Sequence, residues 1–213
     1  MPKTSTGNPR FGRSYARVGP RMDARGATEH RRRLVEPAYG VVVEIGAGYG
    51  ATFPFYPAAV ASVLALEPDP TLRGLAGAAA ATAPVLVTVK DGVAESLPVA
   101  DASVDVVVSS LVLCSVADQS AALAEVVRVL RPGGLLLFYE HVRSAHRLLA
   151  AAEDLLTPLW TRVAGGCHPN RDTAAMITGA GLTVQGLERF GFSALPGNPR
   201  LAHVLGVAAK SGA

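Results

Sequence analysis

Val41-Val42-Val43-Glu44-Ile45-Gly46-Ala47-Gly48-Tyr49-Gly50 is the stretch on which the reading of this chain turns. Its first five residues are apolar apart from Glu44 and rich in β-branched side chains, so they favour a strand buried on both faces. The strand runs into a glycine-rich turn, where the missing side chains let a ligand come close to backbone N–H groups. Gly46, Gly48 and Ala51 also satisfy the G-x-G-x-x-G/A pattern of dinucleotide sites, so a nicotinamide dinucleotide is one candidate ligand.

Outward from this stretch, short apolar runs alternate with helical ones, the pattern of a parallel sheet covered by helices. Strands are predicted over residues 41–45, 62–66, 85–90, 104–109 and 135–139. Between the last two, Leu123, Val126, Val127 and Leu130 recur at i, i+3, i+4 and i+7 and share one helix face. Asp118 or Ser120 can cap that helix, and Pro132-Gly133-Gly134 ends it. The Ala-rich tract 76–83 reads as a surface helix, residues 145–156 and 173–180 as further helices, and 183–190 and 202–209 as two final strands. The Gly- and Pro-rich GFSALPGNPR between those strands is too short for a crossover helix and implies an antiparallel return. The expected fold is α/β: a Rossmann-like, doubly wound seven-stranded sheet, mostly parallel with an antiparallel last strand.

Composition narrows the class. Of 213 residues, 49% are hydrophobic and 17% charged, enough apolar surface to offset the entropy of ordering. The two cysteines, Cys114 and Cys167, lie 53 positions apart and outside any CxxC pair, so neither a disulfide framework nor a cysteine zinc site is indicated. That cysteine usage fits a reducing cytoplasm, and no metal is expected. The N-terminus lacks the apolar core of a secretory signal. Residues 45–66 are uncharged but hold Gly46, Gly48, Gly50, Pro54 and Pro57, which argues against a membrane-spanning helix.

Charge is uneven. Residues 1–33 carry nine basic and two acidic side chains, a local +7, against −4 for the rest. Such a segment could seek phosphate on nucleic acid or on an anionic lipid surface. The favoured reading is a helical lid or arm over residues 1–36, lying on an acidic body formed by residues 37–213, because no aromatic-interleaved basic ladder supports base stacking.

Glu67 follows the second predicted strand about 20 residues past the glycines, where an acid can accept hydrogen bonds from ribose hydroxyls. Asp69 before Pro70 is a good helix cap. The ordered set VVVEIGAGYG, LALEPDP, VKDGVAESLPVADASVDVVVSSLVLCSVAD and EVVRVLRPGGLLLFYEH resembles the class I S-adenosylmethionine-dependent methyltransferases, in the small-molecule group called methyltransferase type 11. A dehydrogenase would need chemistry of its own, and no Tyr-x-x-x-Lys occurs. YARVGPRMDARGATEHRRRL before the sheet and YEHVRS, PLW and GGCHPNRDT after it resemble a bacterial subgroup related to thiol S-methyltransferases.

The resemblance implies S-adenosyl-L-methionine as cofactor, S-adenosyl-L-homocysteine as product and a small-molecule acceptor. It implies that Gly46, Ala47 and Gly48 lie against the methionine and ribose, with Glu44 as supporting acid. Glu67 matches the ribose acid and Pro68 flanks adenine. Gly92, Val93 and Ala94 match the adenine-edge segment; many relatives have Asp at the place of Val93, which leaves the adenine amine to backbone groups, Asp91 or Glu95. Ser109, Ser110 and Leu111 match the residues beneath the methionine and its methyl, and Thr52 stands where relatives often have Asn. Tyr15 is expected to reach the methionine carboxylate from the lid, beside the arginines between Arg17 and Arg25.

Methyl transfer from a sulfonium needs alignment, exclusion of water and, for weakly acidic acceptors, a base. The candidate bases are His141 and His168. Glu140 is read either as orienting a helix start or as binding a cationic acceptor, Cys114 as core packing, and Trp160 as lining an apolar acceptor pocket. The expected function is methyl transfer to a small lipophilic acceptor, thiol sulfur first. Its rivals are a phospholipid head-group or quinone methyltransferase with peripheral membrane contact, and a non-catalytic S-adenosylmethionine-binding module with a nucleic-acid-binding arm. No obligate nucleic acid is expected, and the sequence assigns no oligomeric state.

Overall fold

The structure is a computed structural model and describes residues 9–194, 196–197 and 200–212. Seven strands form one sheet: β1 (Gly40–Ile45), β2 (Val60–Leu66), β3 (Val87–Lys90), β4 (Val104–Ser110), β5 (Leu130–His141), β6 (Leu182–Phe192) and β7 (Leu201–Lys210). Their spatial order is β3-β2-β1-β4-β5-β7-β6. The first five run parallel, while β7 lies antiparallel between β5 and β6, as the short connection before it demands.

Alternation along the strands feeds two cores. Val43, Ile45, Leu136 and Phe138 point to one face, packed by Leu123 and Val126 of α4 (Gln119–Val129) and by Ile177 of α6 (Thr173–Gly179). Val42, Val106, Val108, Leu137 and Tyr139 point to the other, under Leu34 and Val35 of α2 (Thr28–Val35) and Ala76 of α3 (Pro70–Ala80). Buried on both faces, these strands read in sequence as unbroken apolar runs.

Helix starts follow the capping residues. The Asp69 carboxylate accepts from Thr71 N and Leu72 N, and that of Asp118, not the Ser120 hydroxyl, caps α4 through Ala121 N. Several boundaries differ from expectation: the Ala-rich tract is the second half of α3, which ends at Ala80 with Ala76 buried in the core, and β3 starts at Val87. The strand character of β5 begins at Leu130, with an irregular pairing through the Pro-Gly-Gly stretch before Leu135 meets Val106. Helix α5 (Arg147–Val163) continues through Pro158 instead of stopping there; the proline costs a ladder bond without ending the helix.

The N-terminal segment folds as α1 (Pro9–Met22), a five-residue π-helical turn (Asp23–Ala27) and α2, with the direction change at Gly26, φ 119°. Among the described residues no helix is long and apolar enough to cross a membrane. Strand order reverses between β1 and β4, so the crevice at their carboxyl ends is the place where open α/β sheets bind ligands.

Candidate active site

A cavity of about 770 Å³ opens at that reversal, within the roughly 300–1,000 Å³ usual for small-ligand sites. Its floor is the glycine turn after β1. Gly46 has φ 59°, and a Cβ there would lie 2.5 Å from the Val112 side chain, so the turn can pack only as glycine. Gly48, φ 60°, differs: a Cβ there would meet only Tyr15 at 3.5 Å, and its N–H donates to Glu67 Oε2 at 2.8 Å.

Glu67 leaves β2 one strand over, and its Oε1 accepts from Asp69 N at 2.8 Å. The carboxylate is therefore fixed by one backbone donor on each oxygen. A lone pair remains on each for a ligand diol. Burial pushes Glu67 up to about 7, against the hydrogen bonds from Asp69 and Gly48.

Glu44 sits deeper, 1% exposed, and accepts from the hydroxyls of Thr52, at 2.6 and 2.8 Å, and Tyr56, at 2.7 Å. The Thr52 hydroxyl is thus committed to the protein. Burial pushes Glu44 up to about 7, with the two hydroxyls pulling the other way. A carboxyl whose folded pKa is raised contributes fully below its unfolded value, about 4.3, and loses that contribution as pH rises through about 7. Between about pH 4.5 and pH 8 the wild type should lose about 3 kcal/mol of unfolding free energy relative to Glu44→Gln. Urea titrations at both pH values check this, and a pH-independent difference would refute it.

Most of the expected cofactor residues share this wall: Tyr15, Glu44, Gly46, Ala47, Gly48, Glu67, Pro68, Gly92, Val93, Ala94, Ser110 and Leu111 all line the cavity. Ser109 does not, because its side chain is fully buried and its hydroxyl donates to Glu140 Oε1 at 2.6 Å. Asp91 is absent from the wall and pairs with Arg73 in solvent. Glu95 reaches the cavity but accepts from Ala117 N and Asp118 N. Leu111 sits at the exit of β4 with φ 62°, unusual for a branched side chain, and its N–H donates to Tyr139 O at 2.7 Å.

Of the two readings of Glu140, the geometry supports the orienting one. The carboxylate is fully buried; besides Ser109 it accepts from Val112 N, Leu113 N and Cys114 N at 3.0–3.1 Å. It shapes the turn after β4.

Helix α1 roofs the cavity with Phe11, Ser14, Tyr15, Val18 and Met22. Arg17, Arg21 and Arg25 face solvent; the arginine in the wall is Arg31 of α2, 3% exposed, ion-paired with Asp23 and donating to Tyr15 Oη at 3.3 Å. Arg31 escaped the sequence reading because it sits in a basic run, although its spacing to Leu34 and Val35 places all three on one helix face.

His141, His168 and Trp160 also line the cavity. The Nδ1 of His168 is buried without a hydrogen-bond partner among the described residues. His203, opposite His141 in the β5–β7 register, also lines it. Its Nδ1 donates to Leu201 O at 2.9 Å, its Nε2 has no partner among the described residues, and burial next to His141 pushes it down to about 2, so the ring is neutral. A histidine within an apolar terminal strand was the available signal. Cys167 faces the cavity with Cys114 behind it, and His141 Nδ1 approaches both sulfurs. The contact with Cys114 and then the His141 imidazole hold the Cys167 thiol below its ordinary range, while that contact and burial push Cys114 up.

The strand order and this cavity define a Rossmann-like α/β protein with a small-ligand site at the carboxyl edge of its sheet. A family model described as a methyltransferase domain matches residues 43–138. Thiol S-methyltransferase TMT1B of Rattus norvegicus is 38% identical over 175 residues, covering 79% of this chain and 70% of that protein. Human thiol S-methyltransferase TMT1A is 39% identical over 136 residues, 62% of this chain and 55% of that protein. Among solved structures, an S-adenosylmethionine-dependent methyltransferase of Thermotoga maritima superposes with TM-score 0.71 at 22% identity, covering 95% of this chain and 98% of that one. A geranyl diphosphate methyltransferase in complex with S-adenosylmethionine gives 0.65 at 13% identity, covering 86% and 84%. The chain belongs to the S-adenosylmethionine-dependent methyltransferases, in the family that includes these thiol S-methyltransferases.

The residues present fit that cofactor. Gly48 leaves its backbone open to a ligand, Glu67 keeps a free lone pair on each oxygen, and the Ser110 hydroxyl is buried at the wall without a partner among the described residues.

Proposed function

We propose that this methyltransferase acts on the sulfur of a small, lipophilic thiol. The observation that carries the reading is the likeness over 175 residues to a protein named a thiol S-methyltransferase. The apolar character of Trp160, Val163 and Phe192 in the cavity wall supports a lipophilic acceptor. A thiol, with pKa about 8.5, supplies some thiolate unaided and makes small demands on a base.

S-adenosylmethionine, when bound, supplies an electrophilic methyl on a sulfonium. The chain's own residues bind, orient and exclude water. Glu67 accepts from the ribose diol, and the Gly46–Gly48 turn lies against the ribose and methionine. Arg31, buried beside Tyr15, offers its charge to the methionine carboxylate. The imidazole of His168 takes the acceptor's proton at Nδ1, while neutral His203 adds no charge against the sulfonium. Helix α1 closes the roof against water. Removing residues 1–22 is expected to weaken S-adenosylmethionine binding at least about tenfold by calorimetry, about 1.4 kcal/mol; unchanged affinity would show that α1 is no lid.

The direct test incubates purified protein and labelled methyl donor with a mixed panel of thiols, phenols and amines. Label in thioethers supports the reading, and label confined to phenols or amines overturns it.

Helix α5 supports peripheral membrane contact as a second feature. Only Ala150 and Thr157 of this helix are buried, while Leu148, Leu149, Leu155, Leu156, Leu159 and Val163 face outward, with exposed Arg147 and Arg162 near the two ends. Val163 also lines the cavity, so this apolar face adjoins it. An apolar helix face with basic flanks fits an anionic bilayer interface. Anionic vesicles should carry the protein in flotation, and the double change Leu155→Glu and Leu159→Glu should abolish that; wild-type protein that stays at the bottom of the gradient would refute it.

A further inference from the structure

Three metal-binding atoms meet at the cavity wall. The sulfurs of Cys114 and Cys167 are 3.8 Å apart, and His141 Nδ1 lies 3.6 Å from the first and 3.4 Å from the second. A tetrahedral zinc ion about 2.3 Å from sulfur and 2.0–2.1 Å from nitrogen holds two thiolates about 3.8 Å apart and each about 3.6 Å from the imidazole nitrogen. The observed triangle has nearly those edges. The two cysteines are free, not joined by a disulfide bond of about 2.05 Å.

The surrounding backbone fixes this triangle. Cys114 N donates to Glu140 Oε2 at 3.1 Å, and Cys114 O accepts from His168 N at 2.8 Å. Cys167 N donates to Ala164 O at 3.1 Å. Gly166, φ 86°, lets the turn before Cys167 press onto the loop of Cys114, since a Cβ there would lie 2.9 Å from Ser115 O. His141 is the last residue of β5, held there by its pairing with His203 of β7. Ligands anchored from behind in this way are preorganised for a metal.

We propose that Cys114, Cys167 and His141 bind one zinc ion, leaving a fourth coordination position on the cavity side for the sulfur of the acceptor thiol. Cys167 and His141 line the cavity and Cys114 lies behind them. Among the described residues no fourth Cys, His, Asp or Glu joins the group, and the Glu140 carboxylate is taken up by the turn amides. Three protein ligands with one open position is the arrangement of catalytic zinc, whereas structural zinc sites are closed by four. As zinc–sulfur bonds form, each thiol gives up its proton, the cysteines to solvent and the acceptor to His168. The role of the open position rests on the thiol reading above; the metal site itself does not.

The test uses the full chain, reduced and purified without chelator, with metal measured by mass spectrometry after dialysis. About one zinc per chain is expected. Cys114→Ala, Cys167→Ser and His141→Asn should each lower zinc affinity at least about a hundredfold, beyond what losing an outer partner costs. Added zinc should raise the melting temperature of the wild type but not of the variants, which separates lost binding from lost folding. Cobalt replacing zinc should show thiolate-to-cobalt absorption that both cysteine variants lack and that an added alkanethiol shifts. A reduced wild-type chain that takes up neither metal, or variants that bind zinc as tightly as wild type, would overturn the site. Full-rate thiol methylation by chelator-stripped protein would overturn the open position's role. Stoichiometric zinc with label appearing only on phenols or amines would instead overturn the thiol reading and leave the metal site standing.

Discussion

Glu140→Ala is expected to lower the unfolding free energy by about 3–5 kcal/mol in a urea titration, the cost of leaving several buried partners of one charge unsatisfied. Four donors converge on this fully buried carboxylate: the Ser109 hydroxyl and the amides of Val112, Leu113 and Cys114. Alanine removes every acceptor at once, in a place that water does not reach. Glu140→Gln should cost less, about 1–3 kcal/mol, because its carbonyl can replace Oε1 while its amide faces the Cys114 N–H. A loss below about 1 kcal/mol for the alanine variant would mean that the turn after β4 has other support. The same variant should also weaken the proposed metal site, since the Cys114 amide loses its anchor.

Glu67→Ala should raise the dissociation constant for S-adenosylmethionine at least about thirtyfold by calorimetry, about 2 kcal/mol. Two losses combine. The ribose diol loses its acceptors, and Gly48 N and Asp69 N lose the oxygens that fix the turn and the start of α3. Glu67→Gln separates them in part: one oxygen remains to accept, while the amide group meets a backbone donor. If both variants bind with wild-type affinity, the ribose lies elsewhere.

The sheet and the glycine-turn wall of the cavity were legible because their determinants are local. Unbroken apolar runs mark strands buried on both faces, and a glycine turn and an acid one strand later come together whenever β1 and β2 pair in parallel. Asp69 and Asp118 cap helices within three residues of themselves, a range that sequence displays directly. The part of the cavity lined by Arg31, His141, Cys167 and His203 was less legible because its residues meet only through long-range packing. Cys114 and Cys167 look unrelated across 53 positions until the loop after β4 and the turn after α5 close on each other. His203 faces His141 only through the β5–β7 register, and Arg31 is hidden in a run of charges until its helix face is known. The choice between orienting and binding roles for Glu140 needed the positions of three amides, which no spacing rule supplies.

The placement of β7 between β5 and β6 also governs how the sheet assembles. Strand β6 pairs with no other strand than β7, so it has no partner in the sheet until the chain has turned back. The two should therefore zip first as a hairpin, whose short connection costs little closure entropy, and then dock as a unit along the free edge of β5. On this route the nascent parallel half forms early and keeps an unprotected apolar border until the hairpin arrives, which makes that docking event the step most exposed to aggregation.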